Sequence, residues 1–352
     1  MRLRSVFKKL GISLGSLLVL GLVAEVVARA AEPGPFSLWD ERPYLHHPTL
    51  DHVHEPGFEG RWDGTWYAIN ELGLRGPEVE PKADGELRVV TLGDSCTFGK
   101  GVVEGDTWPR QLEGLLRAAA PPGMTPLVAN LGVNGYSGVN YRDIFFEKGL
   151  ELAPDLVVVG YNLNDFPNSL RKVDQAVYKQ RGLRQLMPSG LRDAAARSAL
   201  YRWLRAAYYD ANRARDWERA ERFAQQAAES GGDPEVWAEQ ENYLREIRDA
   251  AHGIGAEVAV FLFPYESQVY LDTYDTTPIR LLSELCGRLD LPFVSLEQEF
   301  RAAAHAEDPP RELFLRGDRY HPRPVGYAIV AERVLRLLQD EGWFPDTGSP
   351  PD

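Results

Sequence analysis

Three side chains in two short motifs have the types needed for nucleophilic catalysis. Ser95 stands in a Gly-Asp-Ser sequence directly after the apolar run 88–93, and Asp318 and His321 lie three residues apart near the carboxyl terminus. A serine hydroxyl is a weak nucleophile and needs a base with a pKa near the working pH; imidazole, at about 6.5, is suitable. An aspartate that binds one ring nitrogen leaves the other to face the serine. These residues predict a catalytic triad in which Ser95 attacks, His321 takes the proton and Asp318 orients the ring.

Two further blocks lie between these motifs in chain order. The segment 130–138 (NLGVNGYSG) contains three glycines, which let backbone amides approach a ligand closely, and the segment 160–166 (GYNLNDF) follows the next apolar run. The four blocks resemble those of the SGNH (GDSL-type) hydrolase family, namely Gly-Asp-Ser, a glycine block, an Asn-Asp block and Asp-x-x-His. The resemblance covers residues 88 to about 335.

The resemblance implies a fold and an activity. The family has a three-layer α/β/α fold with a parallel sheet of about five strands, similar to flavodoxin. Its members hydrolyse esters or transfer acyl groups without a metal or an organic cofactor. We therefore expect a serine esterase that uses neither.

The family also implies the donors of an oxyanion hole. The backbone amides of Ser95 and of the glycine in the second block are two of them, and Gly135 is the best match for that glycine. The third donor is the asparagine side chain of the third block, which matches Asn164. That block is normally Gly-x-Asn-Asp, whereas here Asn162 occupies the glycine position. Asn162 therefore competes with Asn164 for the third role.

The apolar pattern supports the same fold class without reference to the family. Short apolar runs alternate with amphipathic segments, which is typical of buried parallel strands joined by helices. One such segment predicts a helix that Asp233 caps and Gly253 ends. The runs are 88–93, 126–132, 155–162, 257–264 and 292–296.

Between the third and fourth runs lie about 90 residues, far more than a strand-helix-strand crossover needs. We expect a helical insertion there, over about 166–232, leaving from the carboxyl edge of the sheet, where ligands bind. The predicted organisation is a signal segment (1–31), a linker with a small β-rich lead-in (32–86), the hydrolase domain (87–341) and a flexible tail (342–352).

The amino terminus indicates export. Four basic residues within 1–9 precede an apolar stretch from Leu10 to Ala24, which continues past Glu25. This pattern predicts either an uncleaved signal anchor or a signal peptide, with Ala28-Arg29-Ala30 as a weak cleavage site. By either route the basic end stays inside and the remainder is exported, into the periplasm if the cell is bacterial.

The charge and the residue composition limit the ligands and partners that we expect. Lys plus Arg number 39 and Asp plus Glu 52, and the net charge of −13 argues against nucleic acid. Four early histidines, two of them in a His-x-His pattern, lack a recognisable metal spacing, so we expect no metal site. Cys96, one of two cysteines, is predicted to be a small buried side chain rather than a nucleophile. The four histidines are His46, His47, His52 and His54.

The sequence favours an exported esterase acting on an acylated carbohydrate or another small ester, and the substrate we expect is an acetyl ester of the cell envelope. The alternatives are an O-acyltransferase on a polysaccharide, a lipase or thioesterase, and a non-catalytic glycan-binding module. The partners expected are the ester substrate and, through the N-terminal segment, the membrane.

Overall fold

The structure is a computed structural model. It describes residues 2–31, 43–62, 65–163, 165, 198–201, 203–204, 234–316, 318 and 320–346. The strands are β1 (Tyr44–His47), β2 (Asp51–His54), β3 (Glu59–Trp62), β4 (Thr65–Ala68), β5 (Glu86–Gly93), β6 (Thr125–Asn130), β7 (Leu156–Tyr161), β8 (Glu257–Leu262) and β9 (Phe293–Ser295). The helices are α1 (Arg2–Ala31), α2 (Ser95–Phe98), α3 (Trp108–Ala119), α4 (Gly138–Ile144), α5 (Pro234–Gly253), α6 (Glu266–Tyr270), α7 (Thr277–Arg288), α8 (Glu297–Ala304) and α9 (Pro324–Asp340).

Five parallel strands form the central sheet, in the order β6-β5-β7-β8-β9. Each of the five apolar runs overlaps one of these strands, because a strand covered on both faces needs apolar side chains at nearly every position. β7 is buried at all of its positions. The predicted fold class is confirmed.

Alternate residues of the sheet face two separate apolar cores. In β7, Val157 and Val159 pack into one core, and Leu156 and Val158 pack into the other. Helices α4, α5 and α7 complete the first core, and α3, α8 and α9 complete the second. This arrangement gives three layers, helix on sheet on helix.

Two antiparallel hairpins precede the central sheet. β1 pairs with β2, and β3 pairs with β4. Before them stands α1, whose segment Gly11–Ala30 has a mean hydropathy of 2.1 and is the candidate membrane-spanning helix among the described residues. The domain boundaries drawn from the sequence stay predictions.

The predicted insertion, about 166–232, falls almost wholly outside the described residues, as do Asp233 and the tail from residue 347. The helix that follows it ends at Gly253, as the sequence predicts. Gly253 lies in the last turn of α5, and the left-handed conformation that ends such a helix belongs to Gly255, with φ of 81°.

Candidate active site

The turn after β5 places Ser95 at the carboxyl edge of the sheet. β5 ends at Gly93, and Ser95 opens the short helix α2. Asp94 caps this helix, because its Oδ1 accepts a hydrogen bond from the backbone N–H of Cys96 at 2.8 Å. Asp94 thus holds the turn that carries the serine.

Ser95, His321 and Asp318 form one hydrogen-bonded line across 226 residues of sequence. His321 Nε2 lies 2.7 Å from Ser95 Oγ, and His321 Nδ1 lies 2.7 Å from Asp318 Oδ2. Asp318 Oδ1 accepts the backbone N–H groups of Tyr320 at 3.2 Å and His321 at 3.1 Å. The carboxylate therefore fixes both the ring and its own loop, so Nε2 faces the serine.

The charges at the site favour an ionised Asp318. Burial alone raises the pKa of this carboxyl, but the charge and hydrogen bond of His321, together with Lys100, outweigh it and hold the pKa well below its usual range. Asp318 is therefore a carboxylate at any working pH. It can stabilise the imidazolium that forms when His321 takes a proton.

Cys96, next to the serine, has the opposite character. Its side chain is fully buried, and burial together with the charges of Asp94, Asp318 and Asp165 raises the pKa of the thiol well above its usual value. A thiol that stays protonated is a poor nucleophile. The structure agrees with the prediction that Cys96 is a small buried side chain.

The two remaining predicted blocks also reach the carboxyl edge. Gly135 lies in the loop between β6 and α4 and has a φ of 82°, a conformation that glycine adopts without strain. Asn162 directly follows β7 and is fully buried, and its Nδ2 donates to Cys96 Sγ at 3.1 Å. Asn164, the other candidate for the third oxyanion donor, lies outside the described residues.

The structure adds a buried carboxyl that the sequence did not single out. Asp165 Oδ2 accepts the backbone N–H of Asn162 and the hydroxyl of Tyr141, both at 2.8 Å. Burial and the nearby charge of Asp94 raise the pKa of Asp165 well above its usual value, in spite of these two hydrogen bonds. Asp165 therefore holds the backbone of the third block in place. The sequence signal for this role is its position next to Asn164.

The structure places the early histidines on the first hairpin. His52 and His54 are buried in β2, while His46 is exposed on β1. Burial holds the pKa of His54 down to about 3, with the charge of His52 adding to the effect. Among the described residues there is no group of three or more His, Cys, Asp or Glu that could hold a metal ion.

The fold is an α/β/α sandwich with a serine, a histidine and an aspartate in hydrogen-bond contact at the carboxyl edge of its sheet, and comparison with known proteins gives its family. The sequence profile of the GDSL-like lipase/acylhydrolase family matches residues 91–329. This protein belongs to that family and is a serine ester hydrolase. No curated protein sequence is significantly similar to it.

Solved structures with a similar fold include two acetyl xylan esterases and TesA. An acetyl xylan esterase, AlAXEase, is 15% identical and has a TM-score of 0.43, covering 71% of this chain and 98% of its own. The acetylxylan esterase Axe2 from Geobacillus stearothermophilus is 16% identical, with a TM-score of 0.44, covering 74% and 96%. TesA is 13% identical, with a TM-score of 0.43, covering 72% and 98%.

Proposed function

We propose that this protein is an exported, membrane-anchored serine esterase. It removes an acyl group, acetyl in our proposal, from a carbohydrate or another ester of the cell envelope through an acyl-serine intermediate. The observation that carries the proposal is the line of two 2.7 Å hydrogen bonds from Asp318 through His321 to Ser95. A base in contact with the serine, and oriented by a carboxylate, is the arrangement that activates a hydroxyl nucleophile.

The proposed reaction has two halves. Ser95 Oγ attacks the ester carbonyl while His321 Nε2 takes its proton, and the same nitrogen then returns the proton to the departing alcohol. Water, activated by His321, attacks the acyl-serine and releases the acid. In both halves the charge on the carbonyl oxygen would be held by the backbone N–H groups of Ser95 and Gly135 and by the side chain of Asn164.

Aromatic surfaces beside the triad support a carbohydrate substrate. The ring centroid of Tyr320 lies 4.4 Å from that of His321, and Tyr320 stacks on Tyr265 with centroids 5.5 Å apart. Lys100 Nζ, whose charge acts on Asp318, lies 5.8 Å from the ring centroid of Trp62. Aromatic faces next to polar donors suit the apolar faces and hydroxyls of a sugar.

Restricted access to the nucleophile supports a short acyl group. Ser95 is only 7% exposed, and His321 is 2% exposed. Cys96 and Asn162, which contact each other beside the serine, are fully buried. An acetyl group fits such close packing better than a long chain does.

Contacts of the N-terminal helix support an uncleaved anchor. The carboxylate of Glu25 accepts hydrogen bonds from Ser198 Oγ at 2.7 Å and from the backbone N–H groups of Ala199 at 2.9 Å and Leu200 at 3.0 Å. Arg29 pairs with the same carboxylate at 2.7 Å. Cleavage after Ala30 would remove these contacts. Intact mass of the protein from a membrane fraction tests this, since loss of the first 30 residues would refute the anchor.

Activity is tested with p-nitrophenyl esters from acetyl to long acyl chains, using full-length protein in detergent micelles with the Ser95→Ala variant as control. We expect turnover that falls steeply beyond acetyl and that the variant lacks. Acetylated polysaccharides then follow, with acetate release measured. Turnover that rises with chain length would redirect the proposal to lipids, and an absence of turnover that depends on Ser95 would refute ester hydrolysis.

A further inference from the structure

The hairpin β1–β2 lies before the family-matched residues 91–329, yet it binds the loop that carries Gly135. Three hydrogen bonds join the two segments. His52 Nε2 contacts the carbonyl oxygen of Asn134 at 2.8 Å, and Tyr136 donates its hydroxyl to the carbonyl of His52 at 2.6 Å. Asn134 Nδ2 donates to the hydroxyl of Tyr44 at 2.6 Å. The glycine loop is therefore held from outside the matched domain.

The contact at Asn134 acts on the peptide that carries the proposed oxyanion donor. The carbonyl of Asn134 and the N–H of Gly135 belong to the same trans peptide plane and point in opposite directions. Fixing the carbonyl against His52 therefore fixes the direction of the N–H. A glycine at φ of 82° has a backbone with little intrinsic preference, so an outside contact has to set its orientation.

His52 is itself held in one orientation. Its side chain is fully buried, and its Nδ1 lies 2.9 Å from Asp51 Oδ2. The rings of Tyr44 and Tyr136 pack against it edge-on, with centroids 5.2 and 5.4 Å away. A ring confined in this way can transmit the position of the hairpin to the glycine loop.

A second contact links the same N-terminal region to the loop that carries the nucleophile. Arg75 is buried and donates to the backbone carbonyls of Phe98 at 2.6 Å, Gly99 at 2.5 Å and Val102 at 2.6 Å. These carbonyls lie at the end of the helix that begins with Ser95 and in the loop after it. Residues 44–76 thus contact both loops of the proposed oxyanion hole.

We infer that His52 is a positioning residue that aims the Gly135 amide at the substrate oxyanion, so that β1–β2 is a working part of the active site. This inference rests on the proposed function. His52 acts through the Asn134–Gly135 peptide and touches no reacting atom. Its removal misdirects one donor, so we expect a loss of kcat smaller than the 10²–10³ that complete loss of a donor typically costs.

The test compares kcat and KM for p-nitrophenyl acetate in the full-length protein in detergent micelles. His52→Leu fills the space without a donor, and we expect kcat to fall about 10- to 100-fold with KM within about two-fold. His52→Gln keeps an N–H near the position of Nε2, and we expect kcat within about three-fold of the parent. The matched control is His46→Leu, an exposed residue paired with His52 across the hairpin, which should leave kcat unchanged.

The outcomes separate this inference from the proposed function. A low kcat in His52→Leu that His52→Gln restores supports the positioning role. An unchanged kcat in His52→Leu overturns it. An equal loss of kcat in both His52 variants, in proportion to a fall in their melting temperatures, also overturns it, because that result would indicate a structural role alone. In either case the parent would keep its activity and its dependence on Ser95. A parent without that dependence overturns both proposals.

Discussion

Replacing Arg75 by leucine should cost much more stability than an arginine replacement usually does. Arg75 is only 3% exposed, and its guanidinium donates to the carbonyls of Phe98, Gly99 and Val102. It also lies over the rings of Tyr67 and Phe98, 4.6 and 4.7 Å from their centroids. Leucine fills part of this space but donates nothing.

The size of the effect follows from those three carbonyls. A buried acceptor that loses its donor costs about 1–3 kcal/mol, which gives about 3–9 kcal/mol for three. Part of that cost is offset, because the leucine variant no longer has to remove a charged guanidinium from water when it folds. We expect the free energy of unfolding to fall by about 3–5 kcal/mol.

Urea unfolding of the full-length protein in detergent micelles, followed by tryptophan fluorescence, measures this difference. The control is Arg280→Leu, where an exposed arginine pairs with Glu284 at 2.7 Å and the expected change is within about 0.5 kcal/mol. A loss below about 1 kcal/mol for Arg75→Leu would refute the reasoning. It would mean that water or a backbone shift satisfies the three carbonyls without the arginine.

Three further predictions concern the site. Ser95→Ala should abolish ester turnover and Asp318→Asn should lower kcat by about 10³–10⁴, because the ring loses its tautomer partner; a mild effect of either would contradict the triad. Asn164→Ala should lower kcat by about 10²–10³ and Asn162→Ala by less, since the latter amide is turned to a sulfur; the reverse order would assign the donor to Asn162. The folded state raises the pKa of Asp165, so the folded protein keeps the carboxyl proton at pH values where the unfolded chain has released it. The free energy of unfolding therefore falls as the pH rises above about 4. Melting temperatures from pH 4 to 8 should show the parent falling relative to Asp165→Asn, and a constant difference would contradict the raised pKa.

Local features of the sequence are enough to predict the central sheet. A strand covered on both faces must be apolar at nearly every position, so runs such as 88–93 and 155–162 can be recognised without any knowledge of their neighbours. The same holds for the turn after β5, where the short side chain of Asp94 caps the helix by accepting the backbone N–H of Cys96, two residues further along. Such features depend on residues that are close in the chain.

The choice between Asn162 and Asn164 is one that the sequence alone does not determine. The two residues are two positions apart at the end of a strand, and both carry the same amide. Only the packing of the folded chain turns Asn162 towards Cys96, 66 residues away, and the assignment of the oxyanion donor to Asn164 stays a prediction. No periodicity in the sequence records that contact.

By itself the sequence determined the α/β class, the order of the strands along the chain and the serine, histidine and aspartate types that the chemistry requires. The tertiary structure alone decided that His52 contacts Asn134 across 82 residues and that Arg75 is buried against the loop after Ser95. Strand and turn signals arise from neighbouring residues, whereas these contacts are formed when separate elements pack together. A hairpin that looks like a lead-in to the domain therefore becomes part of its site only in three dimensions.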